Sequence, residues 1–393
     1  KKVPYIALNA RIADGELALK GAATINEPRS KRTGIAWKMP LRHPAAGAPM
    51  IVRNESEQAY QILVQDTAHY LYLLNSGGGI IWEKQLPDSI ISTIHAIDFY
   101  GNGETQYLFN TPNQIFLVDQ AGKSVGAFPL HLQAAATTGV SVVDFDRNKE
   151  HHFFVPCENG NIYGFDKTGR PLMGWNPRRD VGIIHQPLQH FQRNGKDFIV
   201  AFNDKQKVLA FKRDGAYRFQ SKTFTGQFQD APHWQVKGSS PRVVLTSTDG
   251  SAYVTNLTGE SFKMHLAVGD NQKVDFAFCD LVGDSRNDYI VLSGQHLAAY
   301  YYHDAQFSQH FSTQLPHIQQ DVFPVYLPRQ TKAQIGTLST DKKLVSLINA
   351  DGQLYPDFPL PGTSAFRIVD LFDTAGRVLV VANDASVYAY QLP

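Results

Sequence analysis

The stretch TGIAWKMPL, Thr33 to Leu41, decides the fold of this 393-residue chain. A close relative, GGIIWEKQL, begins at Gly78, which is 45 residues later (33 to 78). Internal self-similarity at a fixed period is the signature of a repeat architecture. The first copy is only one segment of a repeat, and it precedes every complete repeat, so its position requires an explanation.

A polar turn that ends in glycine marks the repeat. It reads NSGG, DQAG, DKTG, KRDG, NLTG and NADG, with its glycines at Gly78, Gly122, Gly169, Gly215, Gly259 and Gly352. These glycines are 44, 47, 46, 44 and 93 residues apart. The last gap spans two periods, and Gln306 in the degenerate turn HDAQ lies in its middle.

A second landmark lies elsewhere in the unit, where an apolar strand runs into an acidic or polar turn. Its eight positions step by 44 to 46 residues: Arg53, Asp98, Asp144, Gln189, Trp234, Asp280, Tyr326 and Asp370. Two independent landmarks share one period. The sequence therefore predicts eight repeats.

Each repeat predicts four short strands. The second unit contains ISTIHAIDF, TQYLFNT, QIFLVDQ and SVGAFPLHL, which are rich in β-branched and aromatic residues and separated by Asn, Asp and Gly. No unit carries a sustained helical period. A four-stranded sheet of this size buries both faces only by stacking on its neighbours. We therefore predict an all-β, eight-bladed β-propeller of four-stranded blades.

The last repeat explains the opening fragment. It supplies SAFRIVDLF, VLVVAN and SVYAYQLP and ends at Pro393, before a fourth strand. An open ring would leave an unpaired strand edge in water. We therefore predict that the segment from Thr33 joins the last blade and closes the ring, with Trp37 beside the strand that contains Tyr388.

Residues 1–32 lie outside the repeat. ARIADGELALKG predicts a hairpin with an Asp14-Gly15 turn, because this dipeptide tolerates positive φ. We expect 1–32 to be an N-terminal extension or part of a preceding domain, and 33–393 to be the propeller. The start at Lys1, without an initiator Met or a leader, favours a processed product or a piece of a longer chain.

Composition indicates an ordinary globular chain. The 37 basic and 36 acidic residues leave a net charge of +1, and 43% of residues are hydrophobic. This balance argues against nucleic-acid binding, and no apolar run is long enough to cross a membrane. Cys157 and Cys279 are 122 residues apart (157 to 279) in strand-like segments, so we expect buried core residues.

The repeats resemble the bacterial β-propeller repeats grouped as PQQ-like and FG-GAP-like. The resemblance rests on the glycine turn followed by an aromatic, as in GGIIWEKQL and DGQLYPDFPL, and on the acidic loop of CDLVGDSRNDYIVL. It covers Thr33 to Pro393. More narrowly, the chain looks like the C-terminal propeller of multidomain bacterial envelope proteins, which implies an extracytoplasmic location.

The resemblance raises calcium binding, because FG-GAP loops in other proteins hold Ca²⁺ through oxygen ligands at alternating positions. Asp144, Asp146 and Asn148 alternate in this way, although His152 stands where a closing acid would be useful. Asp280, Asp284 and Asp288 are interrupted by Val282. The alternative is that these acids cap turns through their own backbone. We expect no other cofactor.

The resemblance also raises a quinone-dependent dehydrogenase, whose cofactor lies on a vicinal disulfide beside calcium. The two distant cysteines give no counterpart. Trp82 and Trp175 follow repeat turns as a tryptophan-docking motif would, and Trp37 serves the closing blade. Phe128 and Phe358 take comparable places, so we interpret this position as blade-to-blade packing.

Catalysis has no positive motif in the sequence. His151 and His152 are adjacent, so on a strand they point to opposite faces and cannot share one metal. No nucleophile elbow, P-loop, GxGxxG or HExxH is present.

A ligand of a propeller would meet the loops at a channel mouth, where the innermost strands begin. The side chains expected there are His95, His185, Gln186, Asp230, Asp275, Asp321 and Arg367. Such a mixed polar ring suits a protein, a peptide or a glycan, or it simply hydrates the channel.

These observations favour a monomeric, non-catalytic binding or scaffold module that recognises a protein or a surface polymer. Two alternatives stay open. One is a saccharide hydrolase or lyase with a pocket at the channel mouth. The other is a calcium-stabilised, adhesin-like module.

Overall fold

The structure is a computed structural model. It describes residues 6–13, 16–23, 33–225, 228, 232–235, 241–247, 251–256, 260–265, 274–303, 306–372 and 376–393. Strands are the only regular elements among these residues, and no helix there is long and apolar enough to span a membrane. The all-β prediction is confirmed.

Eight antiparallel sheets form the eight blades of a β-propeller. Blade 1 consists, from first to last strand, of β4 (Met50–Asn54), β5 (Ala59–Gln65), β6 (Tyr70–Leu74) and β7 (Ile80–Gln85), and blade 2 of β8 (His95–Ile97), β9 (Gln106–Asn110), β10 (Gln114–Val118) and β11 (Leu130–His131). Blade 3 consists of β12 (Ser141–Asp144), β13 (His151–Pro156) and β14 (Ile162–Asp166). Blade 4 consists of β15 (Gln189–Arg193), β16 (Lys196–Phe202), β17 (Val208–Phe211) and β18 (Tyr217–Gln220).

Blade 5 consists of β19 (His233–Gln235), β20 (Arg242–Thr246), β21 (Ser251–Asn256) and β22 (Ser261–His265). Blade 6 consists of β23 (Asp275–Cys279), β24 (Asp288–Ser293), β25 (His296–His303) and β26 (Gln306–Gln314). Blade 7 consists of β27 (Asp321–Tyr326), β28 (Ala333–Ser339), β29 (Leu344–Ile348) and β30 (Leu360–Pro361). Blade 8 joins β31 (Arg367–Val369), β32 (Val378–Ala382) and β33 (Ser386–Gln391) to β3 (Gly34–Pro40).

The fourth position of blade 3 is irregular. Its outer segment forms single bridges instead of a regular strand, with Pro171 opposite Phe165 and Arg178 opposite Ile162. A cis peptide bond joins Asn176 to Pro177 within this segment. Proline has no amide N–H for a ladder, so a regular fourth strand is interrupted here.

The N-terminal segment closes the ring as the sequence predicts. Strand β3 pairs antiparallel with β33, placing Lys38 opposite Tyr388 and Trp37 opposite Ala389. Met39 and Leu41 are buried among side chains of blades 8 and 1. Both ends of the propeller therefore share one blade.

The N-terminal hairpin is also present as a strand pair. Strand β1 (Ile6–Ala13) pairs with β2 (Glu16–Ala23), and Ala13 lies opposite Glu16. The Asp14-Gly15 turn itself lies outside the described residues. The division of the chain at residue 32 stays a prediction.

The first strand of each blade lies innermost, because first strands of successive blades contact one another, as in β4 with β8, β23 with β27 and β27 with β31. Antiparallel order then defines two faces. The entry face carries the connections into the first strands and the loops between second and third strands. The turn face carries the loops between first and second strands and the glycine turns between third and fourth strands.

The described glycine turns, at Gly78, Gly122, Gly169, Gly215 and Gly352, each receive a side chain from the preceding blade. The Nε1 atoms of three tryptophans donate hydrogen bonds across blade boundaries: Trp37 to the Ser76 carbonyl at 2.9 Å, Trp82 to the Gln120 carbonyl at 2.9 Å and Trp175 to the Arg213 carbonyl at 2.6 Å. The blade-to-blade packing expected of these tryptophans is confirmed.

The blade-to-blade packing expected of Phe128 and Phe358 is also confirmed. Phe128 does pack against Phe153 of blade 3, with ring centroids 6.1 Å apart. The glycine of that blade, however, is covered by Leu130, and Gly352 of blade 7 is covered by Phe311. Phe358 packs with Phe366, which directly precedes the first strand of blade 8, with ring centroids 6.3 Å apart.

Gly78 shows why the turn requires glycine. Its φ is +82°, and a Cβ there would lie 2.7 Å from the Trp37 ring. Gly103 has a similar φ of +85° with no heavy atom within 4 Å of such a Cβ. We expect Gly103→Ala to cost about 1–2 kcal/mol of unfolding free energy. Gly78→Ala should cost about 1–3 kcal/mol more, because the indole must also move.

Urea unfolding of both variants measures the difference. Equal losses would mean that the Trp37 contact contributes nothing and that backbone conformation alone selects glycine.

Candidate functional site

The predicted polar ring lies on the entry face. His95, Asp275, Asp321 and Arg367 are the first residues of β8, β23, β27 and β31. Asp321 and Arg367 are exposed, whereas His95 and Asp275 are partly buried. The structure therefore places these four side chains at the starts of innermost strands.

Blade 4 departs from this pattern. Its first strand begins at Gln189, so His185 and Gln186 precede it in the connecting segment, next to the bridge between Ile184 and Asn203. His185 is exposed and Gln186 is partly buried. Blade 4 has only a two-residue loop between its first strands, and the first strand extends further along the chain. The seventh ring residue, Asp230, lies outside the described residues.

His95 is held inside the ring. Its Nε2 lies 3.2 Å from the Val140 carbonyl of blade 3 and 3.2 Å from the Thr93 hydroxyl. Burial lowers the pKa of His95; the Val140 carbonyl opposes this shift, and nearby His151 adds to it. His95 is therefore neutral near pH 7, and the charge of the polar ring comes from its other members.

His151 and His152 separate as expected. His152 lies against Phe145 at 5.0 Å, and Phe145 in turn meets His190 of blade 4 at 5.1 Å. His151 interacts electrostatically with His95 of blade 2. The two rings therefore serve different blade boundaries.

The acidic loops cap their own turns. Asp144 accepts backbone N–H bonds from Asn148 at 3.1 Å and Lys149 at 2.8 Å, and these bonds lower its pKa against the opposing effect of burial. Asp98 repeats this arrangement in blade 2. Asn148 Oδ1 accepts a bond from the Glu150 amide.

Asp146 is engaged by a neighbouring blade. Its carboxylate takes two bonds from the Arg213 guanidinium, at 2.7 and 3.0 Å. The oxygens of the predicted calcium set thus have protein partners in this structure. No group of three or more His, Cys, Asp or Glu side chains among the described residues converges as a metal site would.

Calcium binding stays a prediction with a direct measurement. An ion that binds only the native state raises the melting temperature of the protein. If Asp144, Asp146 and Asn148 bind Ca²⁺, we expect EDTA to lower the melting temperature and Asp146→Asn to remove the effect. With turn capping alone, the melting curves with and without EDTA superimpose.

The sequence did not predict a polar network that lies between blades 3 and 4. Asp197 is buried and accepts bonds from His190 Nε2 at 2.8 Å, Gln192 Nε2 at 2.9 Å and Arg213 Nε at 2.5 Å. These bonds lower the pKa of Asp197, although burial opposes the shift. Arg213 also covers the Phe145 ring at 4.7 Å. All carboxylate contacts here are satisfied within the protein, so the network joins two blades.

The sequence also did not predict a cleft that lies on the turn face between blades 5 and 6, here named the blade 5–6 cleft. It encloses about 220 Å³ and is lined by Arg242, Val282, Asp284, Arg286, Asn287, Asp288, Tyr289, Tyr301, Tyr302 and His310. His310 Nε2 lies 3.1 Å from Asp288 Oδ1, and Tyr301 lies against His310 at 4.7 Å. The sequence singled out Asp284 and Asp288 only as weak calcium ligands.

The two cysteines are buried, as predicted. Cys157 is 1% exposed and Cys279 is 2% exposed. Burial raises the pKa of each thiol to about 12. Both thiols are therefore protonated at neutral pH, which makes them poor nucleophiles.

His233, the first residue of β19 in blade 5, makes the stability of the propeller depend on pH. It packs against Phe276 of blade 6 at 4.7 Å, and burial lowers its pKa from 6.5 to about 4. The unfolded chain protonates the His233 imidazole at higher pH than the folded chain does. The contribution of neutral His233 to the free energy of unfolding is therefore complete above about pH 6.5 and is lost as pH falls toward 4. The shift corresponds to about 3 kcal/mol. Unfolding free energies measured across this range should fall less in His233→Phe; parallel profiles would contradict the assignment.

Comparison with known proteins supports the fold. No protein-family model matches the sequence, and no curated protein matches it. Among solved structures, BBS1N in complex with ARL6DN, from a crystal soaked with lead, is similar over 92% of this chain and 97% of its own, with a TM-score of 0.52 and 11% identity. BamB from Moraxella catarrhalis is similar over 91% and 97%, with a TM-score of 0.55 and 12% identity.

At these identities the similarity establishes architecture alone. In all, 1078 solved chains match, so the fold is shared too widely to specify a ligand. The described sheets and the structural neighbours together identify the chain as an eight-bladed β-propeller.

Proposed function

We propose that this chain is a non-catalytic binding or scaffold module that recognises a protein or a surface polymer through its entry face. The observation that carries the proposal is the exposure of Asp321 and Arg367 at the starts of innermost strands and of His185 in the segment that leads into one. Charged side chains of both signs, held on a closed ring of sheets, give electrostatic complementarity to a partner. They also lose little conformational freedom of the backbone on binding.

Two further observations support a protein partner. One similar structure, BBS1N, is of a complex with ARL6DN. The ring is closed by a hydrogen-bonded strand, so its loops lie on a rigid frame. We further propose a place in the bacterial cell envelope, which the repeat resemblance supports.

The test is a pull-down from an extract of the native source with the propeller as bait. The entry-face variant combines Asp321→Asn with Arg367→Gln. Its matched control combines Glu104→Gln with Lys123→Gln, which removes one exposed acid and one exposed base from the turn face. We expect one stoichiometric partner with wild type and control, and at least about tenfold less with the entry-face variant.

Two results would contradict this proposal. Equal recovery by all three baits would move the interface to another surface. Recovery of no stoichiometric partner by the wild-type protein would remove the binding role.

A saccharide hydrolase or lyase is the second candidate, and the His310–Asp288 pair favours it. An imidazole held by a carboxylate inside a cleft suits proton transfer. The pair lies on the turn face, whereas the pocket was expected at the channel mouth on the entry face. Product release from neutral and uronate-containing polysaccharides, abolished by His310→Ala, would support this candidate. Absence of product from the whole panel would reject it.

A further inference from the structure

The floor of the blade 5–6 cleft is a carboxylate with a partner on each of its two oxygens. Asp288 is 2% exposed; its Oδ2 accepts the Leu281 amide at 2.9 Å and its Oδ1 meets His310 Nε2. Burial raises the pKa of Asp288, while the Leu281 amide and His310 oppose the shift. The cleft consequently presents the imidazole to a ligand, with the carboxylate behind it.

A guanidinium lies on the opposite wall. Arg242 of blade 5 is partly buried, and its Nε donates to Gln235 Oε1 at 2.9 Å. Arg242 also interacts with Tyr289, the pKa of which burial raises to about 12. No carboxylate in the described part of the chain forms an ion pair with Arg242. A partly buried guanidinium that no carboxylate contacts directly has donors left for an anion.

The walls of the cleft are aromatic and apolar. Tyr289, Tyr301 and Tyr302 line it together with Val282, and Tyr301 and Val282 remain 38% and 48% exposed. Arg286 adds a second positive charge to the lining, and Asp284 adds a negative one. Apolar walls with a few convergent polar groups are typical of small-molecule sites.

We propose that the blade 5–6 cleft binds a small, ring-bearing carboxylate. Its carboxylate lies against the Arg242 guanidinium, whose planar fork can donate two parallel hydrogen bonds. Its ring lies against the tyrosines. The volume of about 220 Å³ suits a body the size of one sugar or one benzene ring. This site lies on the face opposite the proposed entry-face interface and goes beyond it.

Calorimetric titration of the purified chain tests the site with four probes. Glucuronate and benzoate carry the carboxylate on a sugar ring and an aromatic ring, and glucose and benzamide are their uncharged counterparts. We expect saturable binding of at least one carboxylate, at least about tenfold tighter than its counterpart, which corresponds to about 1.4 kcal/mol. Inorganic phosphate is titrated separately to distinguish a carboxylate site from a general anion site.

Variants then locate the binding. Arg242→Gln should weaken it at least about tenfold, and Tyr301→Ala should weaken it while leaving the charge in place. Arg53→Gln, at a half-exposed arginine of blade 1, should leave it unchanged. Melting curves of each variant show whether the fold is retained, and Arg242→Lys serves if Arg242→Gln unfolds.

Several outcomes would overturn the proposal. These are no saturable binding of either carboxylate, equal binding of the uncharged counterparts, tighter binding of phosphate than of both carboxylates, or binding unaffected by the Arg242 and Tyr301 variants. None of them affects the pull-down with the entry-face variant, so the two proposals fail separately.

Discussion

Removal of residues 1–40 will abolish cooperative folding of this chain, whereas removal of residues 1–32 will leave it folded. The first deletion takes away β3, exposes the edge of β33 and uncovers the core between blades 8 and 1. Losing a buried Met such as Met39 alone costs about 2–5 kcal/mol, and a whole domain is stabilised by only about 5–15 kcal/mol. Chromatography should show aggregates, because a bare strand edge templates association.

A peptide in trans makes this prediction more specific. The segment from Thr33 to Leu41, added to the chain that lacks residues 1–40, should raise its melting temperature in a concentration-dependent way. The same peptide with Trp37→Ala should act much more weakly, because the bond to the Ser76 carbonyl and the contact with the Gly78 turn are lost. Normal folding of the shorter chain without peptide would show that closure by β3 is dispensable.

Trp175→Ala will destabilise the propeller by about 3–5 kcal/mol, the range for removing a large buried aromatic side chain. Trp175 is 1% exposed and packs against Phe154 at 4.7 Å and Phe211 at 5.3 Å. It therefore fills the boundary between blades 3 and 4. Its Nε1 also donates to the Arg213 carbonyl, so the arginine that bonds Asp197 loses a neighbour.

Met173→Ala is the matched control for this substitution. Met173 lies two residues away and is 95% exposed, so its truncation should change the unfolding free energy by less than about 0.5 kcal/mol. Guanidinium unfolding measures both variants. A loss below about 1 kcal/mol for Trp175→Ala would mean that this boundary relaxes around the cavity.

Repetition is the reason that so much of the fold could be predicted from sequence. Every unit repeats the same pattern of strands and turns. Two landmarks of one period therefore specify the number of blades and the segment that completes the last blade. Positions that differ from the repeat were predicted less well. Blade 4 has a two-residue loop between its first two strands where blades 2, 3 and 6 have a longer acidic one, and its first strand begins at Gln189, after His185 and Gln186.

The candidate ring was predictable in part for the same reason, because the repeat places His95, Asp275, Asp321 and Arg367 at the starts of inner strands. The blade 5–6 cleft was not predictable in this way. Arg242, Asp288 and His310 come from three strands of two blades, and no local spacing signals their meeting.

The sequence by itself determined an all-β ring of eight units and its closure by the segment from Thr33, because strand patterns and turn glycines act locally and recur. Only the tertiary structure decided which charged groups are satisfied within the protein, as at Asp146 and Asp197, and which line an open cleft, as at Arg242. That distinction depends on distances between neighbouring blades, and these distances come from packing between side chains far apart in the chain.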